Sequence, residues 1–375
     1  DLVDENPDKE FIFRVSPVRH LWDGAHSNNV SKSTGAADSR NTVGGGCCNG
    51  AAIGCLFADN WDDCAGGGLS SSARTAANQN RFVPFVSNCV FRANKFANAG
   101  GGNPEYTLVR LDSGLVTHCR FEDNGRTDGS YPKHGQVHLK SASSTLRNSL
   151  FVNNRGPQYA GIQADQGTVE NCTVVGSRHN VDKSFDGMDI IASGSAVVRN
   201  CIFASEPEKD TVSIGGSAKL TYSFTYLPET GEGNITGLPH FSNAAEGDYT
   251  LNFISPCRNA GTNQAWMVGA GDLAGQPRIV EEGVDMGCFE KEAMPDDYLE
   301  CLLSAACTGV ADDGESLTYR FTAEATRADA TFAWFVDDVE QVWSDTVFVI
   351  DLASAADAHK VKVVATAGTA CWELP

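Results

Sequence analysis

The chain has 375 residues, 38 of them glycine and only 4 methionine, a turn-rich, β-leaning composition that argues against a helical bundle or coiled coil. Its 28 basic and 48 acidic residues leave a net charge of −20, which disfavours nucleic acid and anionic membrane surfaces as partners. Apolar content is ordinary, so disorder is excluded as the main state, and no stretch approaches the roughly 20 apolar residues of a membrane span.

The first residue is Asp1 and no signal peptide follows, as expected of a mature product or of a piece of something longer. Thirteen cysteines are present, yet no pair of Cys-x-x-Cys motifs occurs and the adjacent Cys47 and Cys48 make a poor zinc half-site, so no metal centre is expected. The odd number leaves at least one thiol free or joined between chains.

A repeat accounts for several of these cysteines. Val86-Ser87-Asn88-Cys89-Val90-Phe91 returns as Val116-Thr117-His118-Cys119-Arg120-Phe121 and Leu146-Arg147-Asn148-Ser149-Leu150-Phe151. Val169-Glu170-Asn171-Cys172-Thr173-Val174 and Val198-Arg199-Asn200-Cys201-Ile202-Phe203 follow, with outlying copies at Cys55 and Ser223. An irregular period of about 20 to 35 residues, each unit carrying short alternating strands, predicts an all-β parallel solenoid whose coils stack about 4.8 Å apart. Cys and Ser then form one internal column beside columns of Phe and Val, making the thiols of Cys89, Cys119, Cys172 and Cys201 core residues. The Asn before each Cys is expected to form a ladder at a bend.

These N-C-x-F/V units, over about 53–224, resemble the right-handed parallel β-helix superfamily, the architecture of pectate lyases, polygalacturonases and many surface proteins. The resemblance implies a solenoid over 1–243 and says little about function.

Register can be read from the strand that precedes each unit. Val109-Arg110-Leu111-Asp112, Val137-His138-Leu139-Lys140, Ile162-Gln163-Ala164-Asp165 and Met188-Asp189-Ile190 alternate apolar with polar. Stacked, they predict an outward column of Arg110, His138, Gln163 and Asp189, with Asp112, Lys140 and Asp165 beside it. Such a strip is where β-helix carbohydrate enzymes bind their chains, and it is equally what a solvated sheet face carries. Three loops border it, with Tyr131, Lys133, His134, Arg155, Tyr159, Arg178 and His179 as glycan-binding candidates, because aromatic rings stack on sugars and arginines fork to carboxylates.

For a lyase, Arg110, His138, Lys140 or His134 is the candidate base. For a hydrolase, Asp165 and Asp189 are the best carboxylate pair. The three-part signature of polygalacturonases is absent, and so is a Gly-x-Ser-x-Gly elbow.

Further on, Ser255-Pro256-Cys257-Arg258-Asn259-Ala260-Gly261, Asp272-Leu273-Ala274-Gly275-Gln276-Pro277-Arg278 and Val284-Asp285-Met286-Gly287-Cys288-Phe289-Glu290 resemble the choice-of-anchor type segment that ends many secreted bacterial β-helix proteins. Asn259 replaces the usual Asp and Cys288 the usual Ala. The resemblance implies a cap over 244–290 on the open end of the solenoid. Apart from the resemblance, Cys257 and Cys288 are a disulfide candidate, which an extracellular setting favours.

Residues 291–299 read as a linker, and 300–375 as a small β-sandwich around Trp334, resembling immunoglobulin-like or polycystic-kidney-disease-type spacer domains. Residues 291–375 carry 16 acidic against 5 basic residues, read as a solvated face with calcium as the one cofactor it admits. Cys301 or Cys307 with Cys371 is the candidate staple there.

Three function classes follow. The favoured one is a non-catalytic extracellular or cell-surface protein, structural or adhesive, whose partners are polysaccharide, other surface proteins or copies of itself. The others are a polysaccharide lyase or hydrolase, and a glycan-binding module without turnover.

Overall fold

The structure is a computed structural model and describes residues 47–48, 51–58, 61–62, 69–71, 85–96, 107–125, 135–156, 159–178, 187–295, 298–312, 316–353, 359–368 and 370–374. The chain divides into two units, the first comprising residues up to 251 and 256–290, the second 252–255 and 291–375.

The first unit is a parallel β-helix. Each coil contributes one short strand to each of three parallel sheets, and each sheet has seven strands among the described residues. The first sheet holds Val109–Leu111, Val137–Leu139, Tyr159–Ala164, Met188–Ala192 and Val212–Ile214 among its strands. The second holds Gly114–Thr117, Ser144–Arg147, Thr168–Glu170 and Val197–Arg199. The third holds Val90–Arg92, Arg120–Glu122, Leu150–Val152, Thr173–Val175 and Ile202–Ala204.

The repeat fixes the interior. Phe57, Phe91, Phe121 and Phe151 stack with ring centroids 4.7, 4.7 and 4.5 Å apart and nearly parallel planes, one ring per coil. Beside them Cys55, Cys89, Cys119, Cys172 and Cys201 are buried free thiols. The neighbouring Cys119 thiol and burial raise the Cys89 pKa to about 12, and burial likewise raises that of Cys172.

The ladder expected of the asparagines before each Cys is partial, with Asn200 Nδ2 donating to Asn171 Oδ1 at 3.4 Å, and a second, longer one lies elsewhere. The buried ladder is formed by Asn94, Asn124 and Asn154, after the third sheet. Each Nδ2 donates to the next Oδ1, at 2.8 and 3.0 Å, and also to the carbonyls of Phe57, Phe91 and Phe121 in the coil behind. The residue before each Cys or Ser sits in the left-handed region, with φ of 53° at Asn88, 54° at His118, 46° at Asn148, 48° at Asn171 and 55° at Asn200. Asn is favoured there because its short polar side chain tolerates that backbone.

The end-capping role passes to an earlier segment than expected. Residues 230–235 close the last coil, with Ile235 and Ser223 exchanging a backbone hydrogen bond at 3.0 Å and Asn234 Oδ1 accepting from Ser223 N at 3.1 Å. Residues 257–290 form a strap along the side of the helix, at the bend between the second and third sheets. Gly271 O accepts from His118 Nε2 and Asn148 Nδ2, Asp285 O from Asn171 Nδ2, and Thr262 O from Asn200 Nδ2. The strap therefore crosses four coils, and the left-handed asparagines hold it.

The strap's own motif explains its shape. Asp272 Oδ1 accepts from the backbone of Ala274 and Gln276, while Arg278, fully buried, donates to the carbonyls of Asp285 and Gly287 and lies 3.3 Å from Glu290. Burial pushes the Glu290 carboxyl upward, and Arg278 opposes it.

The second unit is a β-sandwich of a three-stranded sheet (Cys301–Val310, Ser316–Ala325, Val347–Ala353) and a four-stranded one (Thr331–Val336, Val339–Gln341, Val361–Ala367, Ala370–Leu374). Its core surrounds Trp334, which stacks on Phe348 at 5.3 Å and donates its indole N–H to Asp345 O. Strand Cys301–Val310 escapes a reading based on alternation, because seven of its ten residues are exposed on both faces.

Candidate functional site

The strip on the first sheet is present in register. Arg110 pairs with His138 and His138 with Gln163, while Lys140 and Asp165 follow in the next column. The side chains turn onto one another. The ring N–H at His138 Nε2 donates to Asp165 Oδ2 at 2.8 Å, since an ionised carboxylate can only accept. Gln163 Nε2 donates to Asp165 Oδ1 at 2.8 Å. These two bonds, with Lys140 nearby, hold the Asp165 carboxyl down at about 2. Arg110 Nε lies 3.6 Å from Asp112. His138, although outward in register, is only 1% exposed, whereas Asp165 is 38% exposed.

Asp189 does not join this column. Gln163 is opposite Ile191, because Ile162 pairs with Ile190 and an irregularity separates that pair from Tyr159 and Met188. Side chains alternate every two residues, so a slip of two keeps Ile190 and Ala192 facing inward and puts Ile191 rather than Asp189 in the outward column. Asp165 aligns with Ser193, four residues or about 13 Å along the strand from Asp189. Asp189 is fully buried inside the bend between the third and first sheets, where Ser205 and Thr211 hydroxyls donate to it. Burial raises its pKa to about 6 against those bonds. The expected pairing of Asp165 with Asp189 as two catalytic carboxylates is therefore overturned: one is a locked anion on the face, the other a sealed polar group in the bend.

The loop candidates divide. Tyr131, Lys133, His134 and His179 lie outside the described residues, and Tyr159 opens the strand Tyr159–Ala164. Arg155 and Arg178 come together as a parallel bridge on adjacent coils. With Asp123 and Asn153 they line an open pocket of about 340 Å³. Asp123 and Asn153 were missed in the sequence; the signal was their place directly before the ladder asparagines, where both take a left-handed φ of 53° and 54°.

The cysteines expected to pair are free thiols. Cys257 is buried with Leu251 and Met286, and Cys288 with Leu150 and Phe289, as apolar anchors of the strap. Cys301 is buried in the sandwich core, while Cys307 and Cys371 are exposed. Among the described residues no group of three or more His, Cys, Asp or Glu is placed to hold a metal ion. No helix among them is long and apolar enough to cross a membrane.

Comparison with known proteins adds little to this geometry. A model of the GSCFA family matches residues 1–38, about a tenth of the chain and outside the described residues. No curated protein matches the sequence.

Proposed function

We propose that the chain is a non-catalytic extracellular protein, a structural or adhesive component of a cell surface, matrix or filament, built as a right-handed β-helix with a choice-of-anchor type segment and an immunoglobulin- or polycystic-kidney-disease-like spacer. The observation that carries this reading is the self-pairing of the strip. A lyase base must reach an α-proton and a hydrolase needs two carboxylates across the scissile bond. Here His138 is spent on Asp165, Arg110 on Asp112, and Asp189 is sealed. Buried free thiols suit an oxidising compartment, because a cysteine packed in a core is inert.

The test is incubation of the full chain with polygalacturonate, alginate, xylan and chitin. No unsaturated or new reducing ends are expected. Product release that is lost in His138→Ala overturns the proposal.

A further inference from the structure

The bend between the third and first sheets carries a feature that a solvated surface does not need. Arg155 and Arg178 occupy the same place in successive coils, so their Cα atoms are about 4.8 Å apart. Like charges directly opposite on neighbouring strands repel. Elsewhere in the first unit, Arg110, Arg120, Arg199, Arg258 and Arg278 have a carboxylate partner and Arg147 lies over the Trp266 ring, while Arg92, alone in its coil, has no ion pair among the described residues. Among the described residues no ion pair reaches Arg155 or Arg178, in a chain with twenty more acidic than basic side chains.

The backbone beneath them is rigid and shaped. The buried asparagine ladder runs immediately before the arginines, and the Arg155 and Arg178 amides donate to the carbonyls of Asn124 and Asn154 at 2.7 and 3.0 Å. One coil earlier the same column holds Gly125, at φ +124°, where an added Cβ would lie 2.0 Å from Arg155 O. The column therefore offers two guanidiniums above a position that cannot carry a side chain. Beside it, Asp123 and Asn153 supply acceptors at the mouth of the 340 Å³ pocket.

We infer that Arg155 and Arg178 form a receptor for one anionic group of an acidic polysaccharide, a uronate carboxylate or a sulfate ester, held between the two guanidinium forks while Asp123 and Asn153 accept from neighbouring sugar hydroxyls. A planar fork matches a carboxylate or sulfate edge and gives a charge-assisted bond, and the anion removes the repulsion between the coils. The inference rests on reading the solenoid as a binding surface without turnover.

Affinity electrophoresis of the full chain at 0.15 M salt tests it, since the Debye length of about 8 Å then screens the general repulsion between an acidic protein and an acidic glycan. The gels contain alginate for carboxylate, dextran sulfate for sulfate, and dextran as the neutral control. Retardation by alginate or dextran sulfate but not by dextran is expected, and the gel that retards names the group. Arg155→Ala with Arg178→Ala should weaken it about tenfold or more, while Arg320→Ala, which removes one positive charge from the exposed sandwich surface, should leave it unchanged. No retardation by either anionic glycan, equal retardation by dextran, or an undiminished double variant overturns the site. Reducing ends measured in the same samples separate failure of the site from failure of the non-catalytic reading.

Discussion

On the first sheet the outward residues of successive coils are Arg110, His138, Gln163, Ile191 and Ser213; on the third they run from Arg120 and Glu122 to Leu150 and Val152, Thr173 and Val175, then Ile202 and Ala204. Both rows stand on the same pleat and the same coil spacing. The polar part of the first row, Arg110, His138 and Gln163, is satisfied by Asp112 and Asp165 beside it. The apolar row cannot be satisfied in that way, and Leu251, Met286, Cys288 and Phe289 cover it, with Phe241 and Tyr249 alongside. The choice of outward side chain, with no change of backbone, thus decides which face of a solenoid is wrapped and which is left to meet a partner.

The comparison breaks most severely at Arg278, the buried hub of the cover. Arg278→Met leaves the carbonyls of Asp285 and Gly287 and the Glu290 carboxylate without their donor, and should cost about 3–5 kcal/mol in urea unfolding of the first unit. Amide exchange over 257–290 should accelerate while the Phe column stays protected. Asn124→Ala removes one rung of the ladder and orphans Asn94 N and Phe91 O, an expected loss of about 2–3 kcal/mol by the same measurement.

Two carboxylates sharpen the contrast through pH. Asp189 is raised to about 6 in the folded chain from an ordinary value near 3.9, so the folded state holds its proton more tightly. Stability should fall as pH rises from about 4 to about 6, by on the order of 2 kcal/mol, and Asp189→Asn should flatten that limb. Asp165 has the opposite sign. Held at about 2 by His138, it stabilises the fold above about pH 4, and that contribution disappears as pH falls toward 2. Its partial exposure limits the effect to about 1 kcal/mol or less, visible as a flatter acid limb in Asp165→Asn. The smallest perturbation is chemical: iodoacetamide on the native chain should modify Cys307 and Cys371 and spare Cys55, Cys89, Cys119, Cys172, Cys201, Cys257, Cys288 and Cys301, as read by peptide mass spectrometry.

What the sequence revealed follows from what is periodic. The Cys and Phe columns, and the register of Arg110, His138 and Gln163, recur once per coil and are local in each strand. Three things were not legible. Asp189 moved because a two-residue slip leaves alternation intact. The longer, buried asparagine ladder falls on Asn94, Asn124 and Asn154 because which asparagine turns inward is set by the backbone, and both Asn positions are compatible with it. The strap's lateral course depends on pairs such as His118 with Gly271, 153 residues apart, which no periodicity encodes.

That course changes how the solenoid comes apart. A stack of coils in which each touches only its neighbours frays from its ends, one unit at a time, as a one-dimensional array does. A strand of chain fastened at His118, Asn148, Asn171 and Asn200 ties four successive coils to one another directly. Those coils must then loosen together or not at all. Because residues 257–290 are synthesised after every coil they fasten, the tie closes last and turns a row of independently stacking turns into one cooperative block.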